Sequence, residues 1–182
     1  MLTKEVYESA AARAAEFLKK AGVAITERER AEIQVAEYGM GDIENLGLEL
    51  VVYLNTDRCC AKELVLFPGQ TCPEHRHPDA HGEQGKEETF RCRWGEVYLR
   101  VEGEETPNPK AAPPEGHEKY MTCKKEIVLK PGEQYTLMPD TLHWFQAGPE
   151  GAVVSEFSTK SRDELDIYTD PRINPADSRT LD

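Results

Sequence analysis

The sequence predicts an all-β barrel or sandwich preceded by a short helical segment. Three observations carry that expectation. After Gly47, short apolar and β-branched runs are punctuated by Gly, Pro and Asn, the pattern of many short strands. The first forty residues have a different rhythm, rich in Ala, Glu, Lys and Arg, which are strong helix formers. A length of 182 residues suits one domain, since domains typically run to ~100–200 residues.

The first helix is expected over residues 3–21. Val6, Ala10, Ala14, Phe17, Leu18 and Ala21 can share one stripe at helical spacing, and Gly22 is a suitable stop. A second helix opens at Thr26-Glu27-Arg28-Glu29, a capping-box pattern, and is expected to end near Tyr38-Gly39. Strands are expected at residues 48–54, 63–67, 88–94, 96–101, 126–129, 134–138, 143–147 and 152–158, with Trp94-Gly95-Glu96 as a tight hairpin. Residues 102–119 carry Pro107, Pro109, Pro113 and Pro114 and read as a surface excursion. The expected division is a helical segment packing on the barrel at 1–46, the barrel at 47–173, and a tail at 174–182.

Composition narrows the function. Acids outnumber bases 34 to 22, a formal net charge of -12, so a nucleic-acid partner is not expected. No stretch approaches the ~20 apolar residues of a membrane helix. The start, MLTKEVYESA, lacks the apolar centre of a signal peptide, and a cytoplasmic location is expected. Five cysteines with no C-x-x-C pair argue for reduced, mostly buried thiols.

The chemistry concentrates in four residues. His75 and His77 are two apart, which on a strand puts both on one face. Glu88 follows a Gly-containing loop, and His143 comes from a distant strand. Three imidazoles and a carboxylate suit manganese, iron, nickel or zinc better than a soft metal. The spacing is Gly69-x5-His75-x-His77-x10-Glu88-x6-Gly95, followed by Gly132-x6-Pro139-x-Thr141-x-His143-x3-Ala147. It resembles the two motifs of the cupin family, with a longer gap before the glutamate and with Thr141 and Ala147 where the family has Gly and Asn. That resemblance implies an all-β cupin jelly-roll barrel with a short N-terminal helical segment.

A closer resemblance covers residues 25–173. KELVLFPGQTCPEHRHP, GKEETFRCRWGEVYLRVEGE, HWFQAGPEGAVVSEFS and DIYTDPRI are similar to stretches of the small bacterial D-lyxose isomerases. The resemblance implies a metal site of His75, His77, Glu88 and His143, with Mn²⁺ as cofactor and Co²⁺, Fe²⁺, Ni²⁺ or Zn²⁺ as alternatives. Glu87 is the rival ligand; the x6-Gly95 spacing and the Lys-x-Glu pair select Glu88. The implied reaction interconverts D-lyxose and D-xylulose, with D-mannose and D-fructose as a side pair. The implied partners are a monosaccharide and a second copy in a homodimer.

Such a reaction needs a base and a group that stabilises the developing charge. Lys86, two residues before Glu88, shares its face if the strand has begun. Glu156 alternates with Ala152 and Val154; if that face points inward, it is a buried carboxylate near the metal with a raised pKa. Asp170 and Arg172 either bind sugar hydroxyls at the pocket rim or pair with each other. One of Trp144 and Phe145 is expected to line the cavity. His81 and His117 are read as solvated, and Cys72 and Cys92 as core fillers. Two other functions compete: a cupin dioxygenase using Fe²⁺ at the same ligands, and a non-catalytic sugar-binding cupin.

Overall fold

The computed structural model describes residues 2–173; the tail expected at 174–182 lies outside the described residues. Helix α1, Lys4–Lys20, starts where Thr3 Oγ1 accepts a hydrogen bond from the Val6 amide at 3.3 Å, a side-chain N-cap. Its buried stripe is Ala10, Ala14, Ala15, Phe17 and Leu18, while Val6 is exposed. Helix α2, Glu27–Ala31, has the expected capping box around Thr26 and Glu29. It stops seven residues short of Tyr38. Ile33 and Val35 alternate as buried residues with half-exposed Gln34, a period of two that the chain uses as strand β1, Gln34–Ala36.

Strands β2 (Leu48–Asn55), β3 (Cys60–Leu66), β4 (Thr71–Arg76), β5 (Glu88–Val101), β6 (Lys125–Leu129), β7 (Gln134–Leu137), β8 (His143–Ser158) and β9 (Ile167–Tyr168) complete the architecture. All their pairings are antiparallel. The sheet runs β1-β2-β3-β8-β4-β9, and β5 pairs with β6, β7 and β8. Strand β8 closes the curl. It pairs with β5 at both ends, with β4 through its first half and with β3 through its second.

The hairpin expected at Trp94-Gly95-Glu96 does not form. Residues 88–101 are one strand with register shifts at Cys92/Trp94 and Gly95/Val97. The expected strands at 143–147 and 152–158 likewise fuse into β8. The glycines mark a bulge, where the backbone bends without reversing. A Cβ on Gly95, whose φ is +72°, would stand 2.0 Å from the Gly151 carbonyl oxygen.

Two apolar layers result. Inside the barrel, Leu50, Leu64, Leu66, Phe90, Leu99, Phe145, Ala152 and Val154 pack together. On the outside, Val51, Val65, Phe67 and Val153 meet Ala14, Phe17 and Leu18 of α1. Fully burying a side chain such as Leu18 contributes ~1.5–3 kcal/mol. The excursion at 102–119 is pinned more firmly than a surface loop. Ala111 is buried in the inner core, and the amides of Lys110 and Ala111 donate to Glu126 at 2.9 and 2.8 Å.

Candidate active site

One end of the barrel carries the chemistry. His75 on β4 faces His143, the first residue of β8, as a direct cross-strand pair. His77 follows the end of β4, and Glu88 opens β5. The three ring centroids lie 4.4–5.4 Å apart, and one nitrogen from each ring falls within 4.8 Å of the others.

Each ring is held by its other nitrogen. Nδ1 of His75 meets the Pro73 carbonyl at 2.8 Å, Nδ1 of His143 meets the Thr141 carbonyl at 2.9 Å, and Nδ1 of His77 meets Asp166 Oδ1 at 2.5 Å. All three therefore present Nε2 to one point. Glu88 Oε1 is 3.1 Å from Nε2 of both His77 and His143. Yet His143 Nε2, fully buried, makes no aligned hydrogen bond. Converging imidazole nitrogens with outer hydrogen bonds, one of them orphaned beside a carboxylate, suit a divalent metal of borderline or hard character. Glu87 is exposed and Glu88 buried, so the carboxylate that the motif spacing selects is the one facing the rings.

Burial opposes charge on His75, His77 and Glu88, and their neighbours either add to it or outweigh it. Burial, then His143 and His77, pushes His75 well below the ordinary histidine value. Burial and the Lys86 cation also work against a charged His77, but Glu88 and Asp166 outweigh them and raise it to about 9. Burial would lift Glu88, but Lys86 and His77 hold it well below the carboxylate range.

Beside the rings lies a chain of alternating charges. Lys86 Nζ is 2.7 Å from Glu88 Oε2 and 3.3 Å from Glu156 Oε1. Lys62 Nζ is 3.9 Å from Glu156 and 3.0 Å from Asp163. Burial works against the Lys86 charge, but Glu156 and Glu88 keep it well above the ordinary lysine value. Lys86 is thus a cation that donates, unsuited to accept a proton. The inward register of Glu156 holds: its neighbours on that face, Ala152 and Val154, belong to the inner core. Glu156 is buried, as expected for that register, and two cations the sequence reading did not place beside it, Lys86 and Lys62, approach its Oε1.

The cavity among these groups is walled by Tyr38, Leu64, Phe90, Phe145 and Tyr168, with Cys72 in its lining. Tyr168 stacks on His75 with centroids 5.4 Å apart. Of the two aromatics after His143, Phe145 lines the cavity, while Trp144 packs under Arg100. Asp170 and Arg172 pair with each other at 2.6 Å and are absent from the lining. His117 is buried rather than solvated, with Asp170 3.3 Å away, because the segment holding Asp170 and Arg172 folds over the excursion. His81 is exposed in its loop.

Sequence reasoning missed Lys62, Asp163, Asp166 and Tyr168. Lys62 carried a signal. It alternates with Leu64 and Leu66, as Glu156 does with Val154 and Ala152. Asp163, Asp166 and Tyr168 sit in a short, irregular segment with no period to read.

Comparison with known proteins decides the family. The D-lyxose isomerase family profile matches residues 14–175. The chain belongs to the D-lyxose isomerase family. A D-lyxose/D-mannose isomerase of Thermosediminibacter oceani is 64% identical over 173 residues, 95% of this chain and 96% of that protein. A D-lyxose ketol-isomerase of Cohnella laeviribosi is 60% identical over 161 residues, 88% of each. Among solved structures, an L-ribose isomerase of Cellulomonas parahominis with L-ribose overlays with a TM-score of 0.81. It covers 100% of this chain and 98% of that one at 18% identity, a likeness of fold. The L-ribose isomerase of Geodermatophilus obscurus gives 0.80 at 16% identity, covering 100% of this chain and 98% of that one. The fold is thus a cupin barrel, and this D-lyxose isomerase family member is an aldose–ketose isomerase. None of its described helices is long and apolar enough to cross a membrane.

Proposed function

We propose that the chain interconverts D-lyxose and D-xylulose through a cis-enediol, with D-mannose and D-fructose as a second pair. The observation that carries this reading is a buried carboxylate, Glu156, which lines one cavity with His75, His77 and Glu88 and is tethered, among the described residues, through Oε1. A divalent cation, Mn²⁺ in this reading, would be held by His75, His77, His143 and Glu88 and would supply Lewis acidity toward the sugar oxygens.

Glu156 takes the proton from C2 and returns it to C1. Its Oε1 is tied by Lys86 and Ser158, so Oε2 is the acceptor. Lys86, a fixed cation with three donor hydrogens, donates to the oxygen on which negative charge develops. Asp166 holds the His77 ring. Tyr38, Phe90, Phe145 and Tyr168 exclude water from the enediol. Asp170 and Arg172 brace the segment that carries Asp166 and Tyr168. A homodimer working in the cytoplasm completes the proposal.

The iron dioxygenase reading is disfavoured, because Lys62, Lys86, Glu156, Asp163 and Asp166 make the cavity strongly polar. Metal-stripped protein is assayed with D-lyxose, D-xylose, D-mannose and D-ribose after Mn²⁺ is added back. Ketose formation, fastest from D-lyxose, is expected; no ketose from any of the four would overturn the reading.

A further inference from the structure

Glu156 is anchored through a single oxygen. Oε1 receives Ser158 Oγ at 3.0 Å and Lys86 Nζ at 3.3 Å, with Lys62 Nζ 3.9 Å away. Oε2 takes no hydrogen bond from any described residue. The Lys86 tether is lopsided, since its ammonium lies closer to Glu88, at 2.7 Å. Alone, it would draw Glu156 toward the metal ligands.

Lys62, the direct cross-strand partner of Glu156, approaches the same oxygen from β3. It shares the inner face of β3 with Leu64 and Leu66, yet its side chain is a charged group only 4% exposed. Burying an ammonium is costly, and a buried ion pair rarely adds net stability over a packed apolar side chain. Stability alone does not account for a lysine there.

Its own position is tightly set. Nζ donates to Ser161 Oγ at 2.8 Å and to both oxygens of Asp163 at 3.0 and 3.2 Å. Ser161 also donates to Asp163. The Ser161 backbone is fixed in turn by Asn55, through two hydrogen bonds of 2.9 and 3.1 Å.

We propose that Lys62 is a positioning residue for the isomerisation: anchored by Ser161 and Asp163, it restrains Glu156 at Oε1 from the neighbouring strand so that Oε2 stays aimed at the substrate carbon. This rests on Glu156 being the base. Lys62 touches neither the rings nor Glu88, so it acts on turnover through Glu156 and leaves metal retention alone.

The test is a double-mutant cycle in manganese-loaded enzyme. Lys62→Met is expected to keep its manganese and, within about twofold, its KM for D-lyxose, while kcat falls ~10–100-fold, the scale of a misplacement near 1 Å. Lys62→Arg restores part of that loss. In a Glu156→Gln background, Lys62→Met costs nothing further, because a residue acting through Glu156 has nothing left to position. Full kcat in folded Lys62→Met, or an equal fall in both backgrounds, would overturn the proposal. Should Lys62→Met fail to fold, Asp163→Asn loosens the anchor from its partly exposed side, and it too should lower kcat with KM and manganese kept. Wild-type kcat there would overturn the proposal equally. Near-normal turnover in Glu156→Gln alone would remove the base reading and the proposal with it, a failure distinct from the others.

Discussion

Asp166 Oδ1 lies 2.5 Å from Nδ1 of His77, and both groups are buried. The carboxylate fixes the His77 ring so that Nε2 points at Glu88 and the other two imidazoles. Asp166→Asn keeps the shape and removes the charge. Metal affinity should fall ~10–100-fold, the usual cost of losing such a partner. Equilibrium titration of manganese into metal-stripped protein measures it, and unchanged affinity would contradict the role.

The two adjacent glutamates should separate cleanly. Glu88→Gln should lose bound metal and turnover together, as should His75→Ala and His143→Ala. Exposed Glu87→Gln should stay near wild type, because its backbone amide, not its carboxylate, makes the contact with Thr159. Metal content by elemental analysis and a ketose assay decide the order. A reversed order would mean the strand is out of register by one residue.

Metal uptake should release a proton from His77. In the metal-free protein its pKa is raised to about 9, so it is protonated at pH 8, and a ligating imidazole must be neutral. Calorimetry at pH 8 in two buffers of different ionisation enthalpy should show close to one proton released per metal. The same shift stabilises the metal-free fold fully below pH 6.5, and that contribution fades as pH rises through about 9.

Glu156→Gln should hold its metal and bind D-lyxose while turnover drops by ~10²–10⁴, the usual contribution of a positioned general base. Wild-type turnover in D₂O should place deuterium at the transferred carbon. Product without any deuterium would point to a direct hydride shift and remove the base role.

Away from the site, the buried carboxylate of Glu49 also responds to pH. Glu49 is fully buried, with one oxygen unpaired and the other 3.2 Å from Gln70 Nε2. Burial lifts it well above the ordinary carboxylate value, and Gln70 and Arg13 offset only part of that. A folded-state pKa above the unfolded one contributes stability that is complete below about pH 4.5 and is lost as pH rises. Glu49→Gln should therefore gain more in Tm over wild type at pH 8 than at pH 5. Equal differences at both pH values would refute this.

The barrel and the clustering of His75, His77, His143 and Glu88 were legible because both leave periodic or fixed-spacing traces. His75 and His77 share a face by strand geometry, and Glu156 declares itself as a charge in an apolar alternation. Lys62 left the same trace and was overlooked. The fused strands β5 and β8 were misread because Gly95 and Gly151 look like turn signals, while tertiary pairing turns them into bends. Asp166 and Tyr168 were hidden because their placement depends on β9 pairing back onto β4, a contact with no local signature. The second helix was drawn too long because the capping box announces a start and says nothing of length.

Strand β8 carries both His143 and Glu156, thirteen positions apart. In an unbroken strand an odd separation sends two side chains to opposite faces, yet both point into the barrel. The bulge repairs the parity: from Ala147 to Ala152 strand β8 advances five residues while β5 advances two, from Val97 to Gly95. The three surplus residues, Gly148, Pro149 and Glu150, thus act as a counting device that keeps His143 and Glu156 on the same inner face. Their number matters more than their chemistry. Removing one of them should cost turnover far beyond what substituting Pro149 or Glu150 does, and a deletion series read by metal content and ketose formation would show whether counting, rather than composition, governs this stretch.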